Sequence, residues 1–296
     1  MTRLGLVQTC TGIDPAANAA ALTDAIAALA AAGAEIVFTP EMSNLVDRDR
    51  ARAAAAITGE GDDGVLAAVR AAAARHGVWV QLGSAALRAG GTLVNRAFLI
   101  DAAGGIAARY DKIHLFDVTL PSGEAYRESA AYAPGDRAVV AATLFGRIGM
   151  TVCYDVRFPH LYRDLALAGA ELIAVPAAFT RPTGAAHWHT LLRARAIETG
   201  CFVVAAAQSG EHADGRATYG HSLVVDPWGT VLLDMSEGTG TAIVDIDPAA
   251  VAATRARIPS LTAGRPYAPP ALTAAPADRT PPPRAPVAQP DRATVS

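Results

Sequence analysis

Apolar residues along the chain follow two alternating repeats, one typical of β-strands and one typical of α-helices. A first strand is predicted at RLGLVQT, and the alanine-rich segment after it places Leu22, Ile26 and Leu29 on one face of a helix. Gly33 stands where a glycine commonly ends a helix. The same repeats predict strands at EIVFTPE, VWVQLGS, TLVNRAFLID, ELIAVPA, CFVVAAAQ and TAIVDID, and helices at DGVLAAVRAAAARHG, FPHLYRDLALAG and AHWHTLLRARAIETG.

Two further segments are predicted to be strand pairs. In DRAVVAATLFGRIGMTVC the strands join at Phe145–Gly146, and the second is expected to end at Cys153. In GHSLVVDPWGTVLLD a hairpin turns at DPWG. Because strands and helices alternate, with hairpins late in the chain, we expect one α/β domain with helices outside sheet layers. This domain spans residues 1–267.

The last part of the chain has a different composition. Residues 268–296 are rich in proline and alanine and show no repeat of apolar positions. A packed core needs such a repeat, and proline removes backbone hydrogen-bond donors. We therefore expect this tail to be disordered and exclude it from the fold.

Composition and charge exclude several classes of partner. The formal net charge is −3 and the basic residues are scattered, so no nucleic-acid partner is expected. No apolar run reaches the roughly 18 residues of a membrane helix, and the N-terminal residues lack the features of a signal peptide. The cysteines number three and lack metal-site spacing, which favours reduced thiols and a cytoplasmic protein.

One of these cysteines stands at a junction where a thiol can act as a nucleophile. Cys153 follows a predicted strand and precedes a predicted helix with Pro159 in its first turn. Unpaired N–H groups at such a helix start can lower the pKa of a thiol and hold an oxyanion. The alternative is a small buried residue, because free cysteine is among the most buried residue types. Cys10 and Cys201 lie in apolar strand segments, and we expect both to be structural.

Candidate acids, bases and metal ligands are more widely spread. Glu41 and Lys112 each follow a strand-like segment, where open α/β sheets build their sites, although such residues are commonly only solvated. A histidine could serve as the base for Cys153, but no local signature supports it. His187 and His189 are two residues apart on a predicted helix and cannot bind one metal together. No metal site is therefore expected.

Three segments together resemble the nitrilase, or carbon–nitrogen hydrolase, superfamily: FTPEMSN, YDKIHLFDV and GMTVCYDVRFPHLYRDLALAGAELIAVPAAFT. The resemblance covers residues 3–267. It implies a four-layer αββα sandwich and a triad with Glu41 as base, Lys112 as charge stabiliser and Cys153 as nucleophile. A further match in RESAAYAPG implies that Glu128 positions Lys112 and the catalytic water. A homo-oligomer, dimeric or larger, is also implied.

The chemistry implied by the resemblance is amide hydrolysis through a thioester. The Cys153 sulfur attacks the carbonyl, and Lys112 and the backbone N–H of Tyr154 hold the oxyanion. Glu41 accepts the thiol proton, protonates the leaving amine and then activates water. No metal or organic cofactor is required. The alternatives are a non-catalytic scaffold on the same fold and a redox sensor that uses Cys153.

The residues after the nucleophile resemble one branch of the family. CYDVRFP differs from the CWE of nitrilases, the CHD of aliphatic amidases and the CNDRR of N-carbamoyl hydrolases, and is similar to the Nit branch. Within that branch, AAAQSGEH favours a metabolite-repair amidase that cleaves deaminated glutathione to 2-oxoglutarate and cysteinylglycine. An ω-amidase for 2-oxoglutaramate and an N-carbamoyl hydrolase remain alternatives. Many relatives have Glu at the position of His189, so no role is given to it.

The implied substrate is a small anionic amide, so its pocket is expected to contain a cation. Arg157 is the candidate, because a guanidinium binds carboxylates in a bidentate way. A structural salt bridge with Asp155 or with an acid at the helix start is an equally good explanation for this arginine. Phe179, Thr180 and Thr183, in the loop after the next strand, are predicted to line the entrance.

Overall fold

The computed structural model describes residues 1–120 and 123–270. Its strands are β1 Thr2–Gln8, β2 Ile36–Phe38, β3 Trp79–Ala89, β4 Thr92–Ile100, β5 Ile106–Asp111, β6 Asp117–Thr119, β7 Ala125–Arg127, β8 Val139–Thr143, β9 Gly146–Met150, β10 Leu172–Ala174, β11 Phe202–Ala205, β12 Ser209–Glu211, β13 Ala217–Tyr219, β14 Leu223–Val225, β15 Val231–Asp234 and β16 Gly240–Ile246. Its α-helices are α1 Pro15–Ala31, α2 Arg50–Ala56, α3 Gly64–His76, α4 Pro159–Leu167, α5 Arg181–Thr199 and α6 Ala249–Arg257.

Most of the strands form two six-stranded sheets. The first has the order β16-β1-β2-β3-β4-β5 and the second the order β15-β14-β11-β10-β9-β8. Strands β1, β2 and β3 are parallel to each other, as are β9, β10 and β11. Because β4 is antiparallel to both β3 and β5, strands β3 and β5 run in the same direction. The C-terminal ends of β2 and β5 therefore lie on the same side of the first sheet, where its parallel strands end.

Apolar side chains join these sheets to two outer layers of helices. One buried cluster contains Leu22 of α1, Val69 of α3 and Val80 of β3. A larger cluster contains side chains of both sheets together with Leu165 of α4 and Leu192 of α5. The order helix, sheet, sheet, helix confirms the predicted αββα fold.

Local differences from the predicted elements occur at the ends of strands. Strand β9 ends at Met150, three residues before the predicted end at Cys153, and a 3₁₀ turn, Cys153–Arg157, follows. Cys10 lies beyond the end of β1 rather than inside a strand and is only partly buried. Cys201 is buried and immediately precedes β11. Helix α2 was not predicted, because its segment RARAAAA has no apolar stripe and none of its side chains is buried.

Two glycines allow backbone segments to approach each other closely near the strand ends. A Cβ at Gly83 would lie 2.0 Å from the carbonyl oxygen of Thr39, in the segment that leads from β2 to Glu41. A Cβ at Gly135 would lie 2.2 Å from the carbonyl oxygen of Asp111, next to Lys112. Since a side chain at either position would displace these segments, the glycines help to fix the two charged residues.

The C-terminal part of the described chain is simpler. Residues 264–270 contain no helix or strand. The predicted disordered tail, 268–296, lies outside the described residues from position 271 onward. No helix in the described ranges has the length and apolar character needed to cross a membrane.

Candidate active site

The carboxylate of Glu41 is buried and held on both of its oxygens. Glu41 follows the end of β2 and is 4% exposed. Its Oε1 accepts a hydrogen bond from Lys112 Nζ at 2.8 Å, and its Oε2 accepts one from the Ala178 backbone N–H at 2.9 Å. This carboxylate therefore connects the end of the first sheet with the loop that follows β10 in the second sheet.

Lys112 lies between two carboxylates. It directly follows β5, and its side chain is 2% exposed. Its Nζ donates to Glu41 Oε1 at 2.8 Å, to Glu128 Oε2 at 2.8 Å and to Glu128 Oε1 at 3.1 Å. Glu128 Oε2 also accepts the Phe116 N–H at 2.7 Å. Burial alone lowers the pKa of Lys112, but the two carboxylates outweigh it and raise this pKa well above its ordinary value.

Asn95 joins the same two carboxylates and was not predicted from the sequence. Its Nδ2 donates to Glu41 Oε1 at 3.0 Å and to Glu128 Oε1 at 3.3 Å. Its Oδ1 is buried and has no partner among the described residues. If the amide were turned round, this oxygen would face the two carboxylates, so the observed orientation is the favourable one. A polar residue inside the apolar strand TLVNRAFLID was the available signal.

Cys153 begins the tight turn after β9 and has an uncommon backbone conformation. Its φ is +50°, which is rare for a residue with a side chain, and its N–H donates to the Pro176 carbonyl at 2.8 Å. Backbone strain of this kind is concentrated at functional sites. The next N–H, that of Tyr154, has no acceptor among the described residues, so it can donate to an incoming oxygen.

The Cys153 thiol is protonated at rest. Burial raises its pKa first, the nearby Glu41 charge raises it further, and Lys112 only partly opposes them. Glu41 and Lys112 are both close enough to the thiol to influence its pKa, and the Ala178 N–H donates to Glu41 Oε2. Helix-start N–H groups therefore do not produce a resting thiolate here. Ionisation requires transfer of the proton to a base, and Glu41 is the carboxylate whose charge acts on the thiol.

A buried acid holds the Cys153 turn in place. Asp155 is fully buried, and its Oδ2 accepts the Val152 N–H at 2.8 Å and the Tyr110 hydroxyl at 2.7 Å. Its Oδ1 accepts the His114 N–H at 3.0 Å and lies 2.7 Å from His114 Nδ1. The carboxylate thus connects the Cys153 turn to β5 and to the segment after Lys112. Asp155 is not the ion-pair partner of Arg157.

Arg157 has no carboxylate partner among the described residues, so a salt bridge does not explain it. Its NH1 and NH2 lie 3.3 Å from His187 Nδ1. The guanidinium also lies 5.4 Å from the ring centre of Phe179 and 5.9 Å from that of Tyr154. Two aromatic rings and a histidine thus surround this cation, and its charge is available to a bound anion.

The predicted entrance residues have different surroundings. Phe179 is buried, and its ring packs 4.7 Å from the ring of Trp188. Thr180 precedes α5 and is buried, and its hydroxyl is hydrogen-bonded to that of Thr183 at 2.8 Å. Phe179 therefore borders the Arg157 side chain, whereas the two threonines bond to each other. Farther along α5, Arg195 forms an ion pair with Glu198 at 2.7 Å.

Histidines do not enter the Glu41–Lys112–Cys153 arrangement in the described structure. His187 and His189 have different partners, Arg157 and Asp234, as their spacing on a helix predicts. His189 lies near His221 and Asp234, and these three residues could hold a metal ion. The expectation that no metal site exists considered only the pair His187 and His189.

The sequence and the fold of this chain are similar to those of known proteins. The model of the carbon-nitrogen hydrolase family matches residues 3–256. Deaminated glutathione amidase of Yersinia enterocolitica is 40% identical over 266 residues, which cover 88% of this chain and 92% of that protein. The crystal structure of the C. elegans NitFhit protein has a TM-score of 0.83 and 35% identity, covering 89% of this chain and 65% of that one.

A third similar protein has been studied at its reactive cysteine. It is a mutant of an amidase from Nesterenkonia sp., whose structure shows Michael addition of acrylamide at the active-site cysteine. The TM-score is 0.72 and the identity 28%, and the alignment covers 87% of this chain and 98% of that one. A cysteine of that protein is thus an accessible nucleophile.

Proposed function

The chain belongs to the carbon–nitrogen hydrolase family and is a cysteine-dependent amidohydrolase, and from this premise we propose that Cys153 cleaves the amide of deaminated glutathione. The products are 2-oxoglutarate and cysteinylglycine. One observation carries the proposal: Lys112 and the Ala178 N–H hold the two oxygens of the buried Glu41 carboxylate, which is near enough to the Cys153 thiol to raise its pKa. This arrangement is a fixed base beside a protonated nucleophile, as an amidase of this class requires.

Acylation begins with transfer of the Cys153 thiol proton to Glu41. The sulfur then bonds to the amide carbonyl carbon, and the carbonyl oxygen becomes an oxyanion. Lys112 Nζ and the free N–H of Tyr154 stabilise that oxygen, and one such donor typically contributes a factor of about 10²–10³ in rate. The C–N bond breaks as Glu41 returns the proton to the leaving nitrogen, and the acyl group remains on Cys153 as a thioester.

Deacylation uses the same groups in reverse. Glu41 removes a proton from a water molecule, and the resulting hydroxyl attacks the thioester carbonyl. Glu128, fixed by the Phe116 N–H and by Lys112, keeps the ammonium group in position and orients the water. When the C–S bond breaks, the proton on Glu41 returns to the sulfur and the carboxylic acid is released. Every group needed for these steps is a side chain or backbone amide of this chain.

Specificity for an anionic substrate is assigned to the Arg157 side chain. Deaminated glutathione carries carboxylates, and a guanidinium binds a carboxylate through two parallel hydrogen bonds. Arg157 is the cation beside the nucleophile turn that has no carboxylate partner in the described ranges. Phe179 supports its position, and Thr180 and Thr183 shape the loop next to it.

The surroundings of the enzyme are part of the same proposal. We assign it to the cytoplasm, because its cysteines are all free thiols. A homo-oligomer is supported by a set of exposed large apolar side chains, namely Ile197, Trp228, Val231 and Leu232.

The test is a rate comparison on the purified protein. Release of 2-oxoglutarate is followed from deaminated glutathione and from 2-oxoglutaramate, with Cys153→Ala as the control. We expect kcat/KM to be at least tenfold higher for deaminated glutathione, which corresponds to about 1.4 kcal/mol in transition-state binding. A preference for 2-oxoglutaramate would make the enzyme an ω-amidase, and turnover of N-carbamoyl amino acids alone would support a carbamoyl hydrolase.

A second measurement separates an enzyme from a scaffold. The reaction is quenched early, and the intact protein is weighed by mass spectrometry. We expect an added 2-oxoglutaryl group in the wild-type protein and none in Cys153→Ala, since the thioester needs the sulfur. Turnover by Cys153→Ala at a rate near that of the wild type would exclude the nucleophilic role.

A further inference from the structure

A second group of chemically reactive side chains lies outside the Glu41–Lys112–Cys153 arrangement. His189 is on α5, His221 follows β13, and Asp234 ends β15. His189 Nε2 is 2.9 Å from Asp234 Oδ2, and His221 Nδ1 is 2.9 Å from Asp234 Oδ1. We propose that these three side chains, called here the His-His-Asp cluster, bind a divalent transition-metal ion such as Zn²⁺.

The positions of the ligand atoms fit a small coordination sphere. One ligand atom from each of the three side chains can be chosen so that all of them lie within 4.8 Å of one another. Zinc bonds of about 2.0–2.2 Å to nitrogen and oxygen bring tetrahedral ligands roughly 3.3 Å apart. Small rotations of partly exposed side chains achieve this separation. The fourth position is open to water, because the side chains of His189 and Asp234 are 35% and 31% exposed.

The hydrogen-bond pattern of the cluster suits a cation. The Asp234 carboxylate accepts the Ser236 N–H and lies at hydrogen-bond distance from both imidazoles. His189 Nδ1 and His221 Nε2 have no partner within the described part of the chain, so each imidazole can keep its proton there and offer the opposite nitrogen to the ion.

The charge balance also leaves room for a metal. Other ion-paired aspartates, such as Asp47, Asp111 and Asp245, are paired with arginines. The partners of Asp234 within residues 1–120 and 123–270 are two imidazoles and no lysine or arginine. No permanent positive charge therefore competes with the ion. Two nitrogen ligands and one oxygen favour zinc, cobalt, nickel or copper over magnesium or calcium.

The surrounding residues fix the cluster before an ion arrives. Asp234 Oδ1 accepts the Ser236 N–H at 2.8 Å, and the His221 N–H donates to the Ser236 carbonyl at 2.7 Å. Trp188 Nε1 donates to the His221 carbonyl at 2.8 Å, and the His221 ring stacks on Tyr219 at 4.4 Å. His221 also has φ +55°, a conformation that these contacts maintain. Contacts of this kind orient metal ligands and increase affinity.

A bound ion would connect α5 to the end of β15. The two residues before His189 on this helix are His187, which contacts Arg157, and Trp188, which packs on Phe179. The ion would thus stabilise the helix that supports the Arg157 side chain. The site does not depend on amide hydrolysis, and it can exist whether or not the proposed substrate is correct.

The test is a titration of the tag-free protein with Zn²⁺ and with Co²⁺. All measurements use protein that carries Cys153→Ala, because the thiol of Cys153 could itself bind these ions. Calorimetry gives the stoichiometry. We expect one ion per chain with a micromolar or lower Kd, a cobalt absorption band of a nitrogen–oxygen site and a Tm that rises with zinc. His189→Gln and Asp234→Asn should each weaken binding at least tenfold. His76→Gln, at an exposed histidine distant in sequence from the cluster, should leave the Kd and the stoichiometry unchanged.

Three outcomes would overturn the proposal. They are the absence of binding, binding that survives His189→Gln and Asp234→Asn unchanged, and a stoichiometry that His76→Gln reduces. Each would make the group a hydrogen-bonded cluster only. If Asp234→Asn fails to fold, His189→Gln alone decides, because its half-exposed side chain is not needed for the core.

Discussion

Lys112 and Arg157 are two cations with opposite surroundings. The Lys112 ammonium is buried and donates to the carboxylates of Glu41 and Glu128, and the shortest distance to each is 2.8 Å. The Arg157 guanidinium is only partly buried, contacts a histidine and two aromatic rings, and has no carboxylate partner among the described residues. The charge of Lys112 is balanced within the protein, whereas that of Arg157 is available to a ligand.

In the proposed function, this difference separates the chemical step, assigned to Lys112, from substrate binding, assigned to Arg157. A buried cation needs carboxylates beside it, because taking an unpaired charge out of water is very unfavourable. The pairing that keeps Lys112 charged also fixes Glu41 next to the nucleophile. A partly exposed cation keeps some of its hydration and needs no such partner, so Arg157 can be left unpaired for binding. Substitutions at the buried cation should therefore affect both stability and kcat, and those at Arg157 mainly KM.

The largest effect is expected for Lys112→Met. This change leaves the Glu41 and Glu128 carboxylates close together without a cation, and breaking a buried ion pair on one side typically costs about 3–5 kcal/mol. It also removes one oxyanion donor, which should lower kcat by roughly 10²–10³ or more. Chemical denaturation and steady-state kinetics measure the two effects.

The double variant Lys112→Met/Glu128→Gln is the matched control for the electrostatic explanation. Removing one of the two carboxylates should restore part of the lost stability but none of the activity. If Lys112→Met is as stable as the wild-type protein, the two carboxylates do not depend on the ammonium group, and the comparison fails.

A smaller effect is expected for Asn95→Leu, which removes a positioning residue. Hydrogen bonds to charged groups contribute about 1.5–3 kcal/mol, so kcat should fall roughly 10–10²-fold while KM changes little. Steady-state kinetics separate kcat from KM, and chemical denaturation gives the free energy of unfolding beside them. A loss of stability without a fall in kcat would mean that Asn95 has only a structural role.

Gln81 offers a matched control for Asn95. It is also a buried strand amide, but both its Nε2 and its Oε1 lack partners in the part of the chain that is described. Gln81→Leu removes polar atoms that make no hydrogen bond, so stability should be equal or higher and kcat unchanged. Equal kinetic losses in both variants would show that Asn95 acts only through packing.

The outcome for Asn95 illustrates how far the sequence could be interpreted. The periodicity predicted the layers and the helices, because burial of an apolar face is recorded directly in residue spacing. Glu41, Lys112 and Cys153 were indicated by strand ends and by motifs, and the structure brings them together. Asn95 lies inside a strand, and its role depends on the register that places it beside Lys112, whose N–H donates to the Asn95 carbonyl at 2.9 Å.

The His-His-Asp cluster was missed for a related reason. Asp234 lies 45 positions beyond His189 in the chain and 13 beyond His221, so no local spacing connects these residues. Their proximity arises from packing α5 beside the β14–β15 hairpin. Likewise, the sequence left two explanations for Arg157, because whether Asp155 pairs with it depends on the side-chain directions in one short turn.

At the exposed cation, Arg157→Lys is expected to raise KM about tenfold, since lysine cannot make the planar pair of hydrogen bonds to a carboxylate. The reacting atoms are not involved, so kcat should remain within about threefold. Arg181→Lys is the control: this exposed arginine lies at the start of α5, 3.7 Å from Glu211, and should not affect KM. An unchanged KM in Arg157→Lys would mean that another residue binds the substrate carboxylate.

The smallest effect concerns His212, which is buried like Lys112 but has neutral hydrogen-bond partners. Its Nδ1 lies 2.8 Å from the Thr11 carbonyl and its Nε2 2.8 Å from the Thr218 hydroxyl. Burial lowers the pKa of His212 below the usual imidazole value. As the pH falls below about 6.5, the unfolded chain therefore binds a proton that the folded protein resists binding, and the free energy of unfolding decreases.

The contribution of one such proton cannot exceed about 1.4 kcal/mol per pH unit. The measurement is the difference between the wild-type protein and His212→Gln in denaturation experiments from pH 7.5 to pH 5. The variant should lose less stability on acidification, while kcat at neutral pH stays the same because His212 contacts none of the proposed catalytic residues. Parallel stability curves would show that burial without a charged partner has no measurable effect on stability at this position, and the contrast with the paired, buried Lys112 would then rest on its carboxylate partners alone.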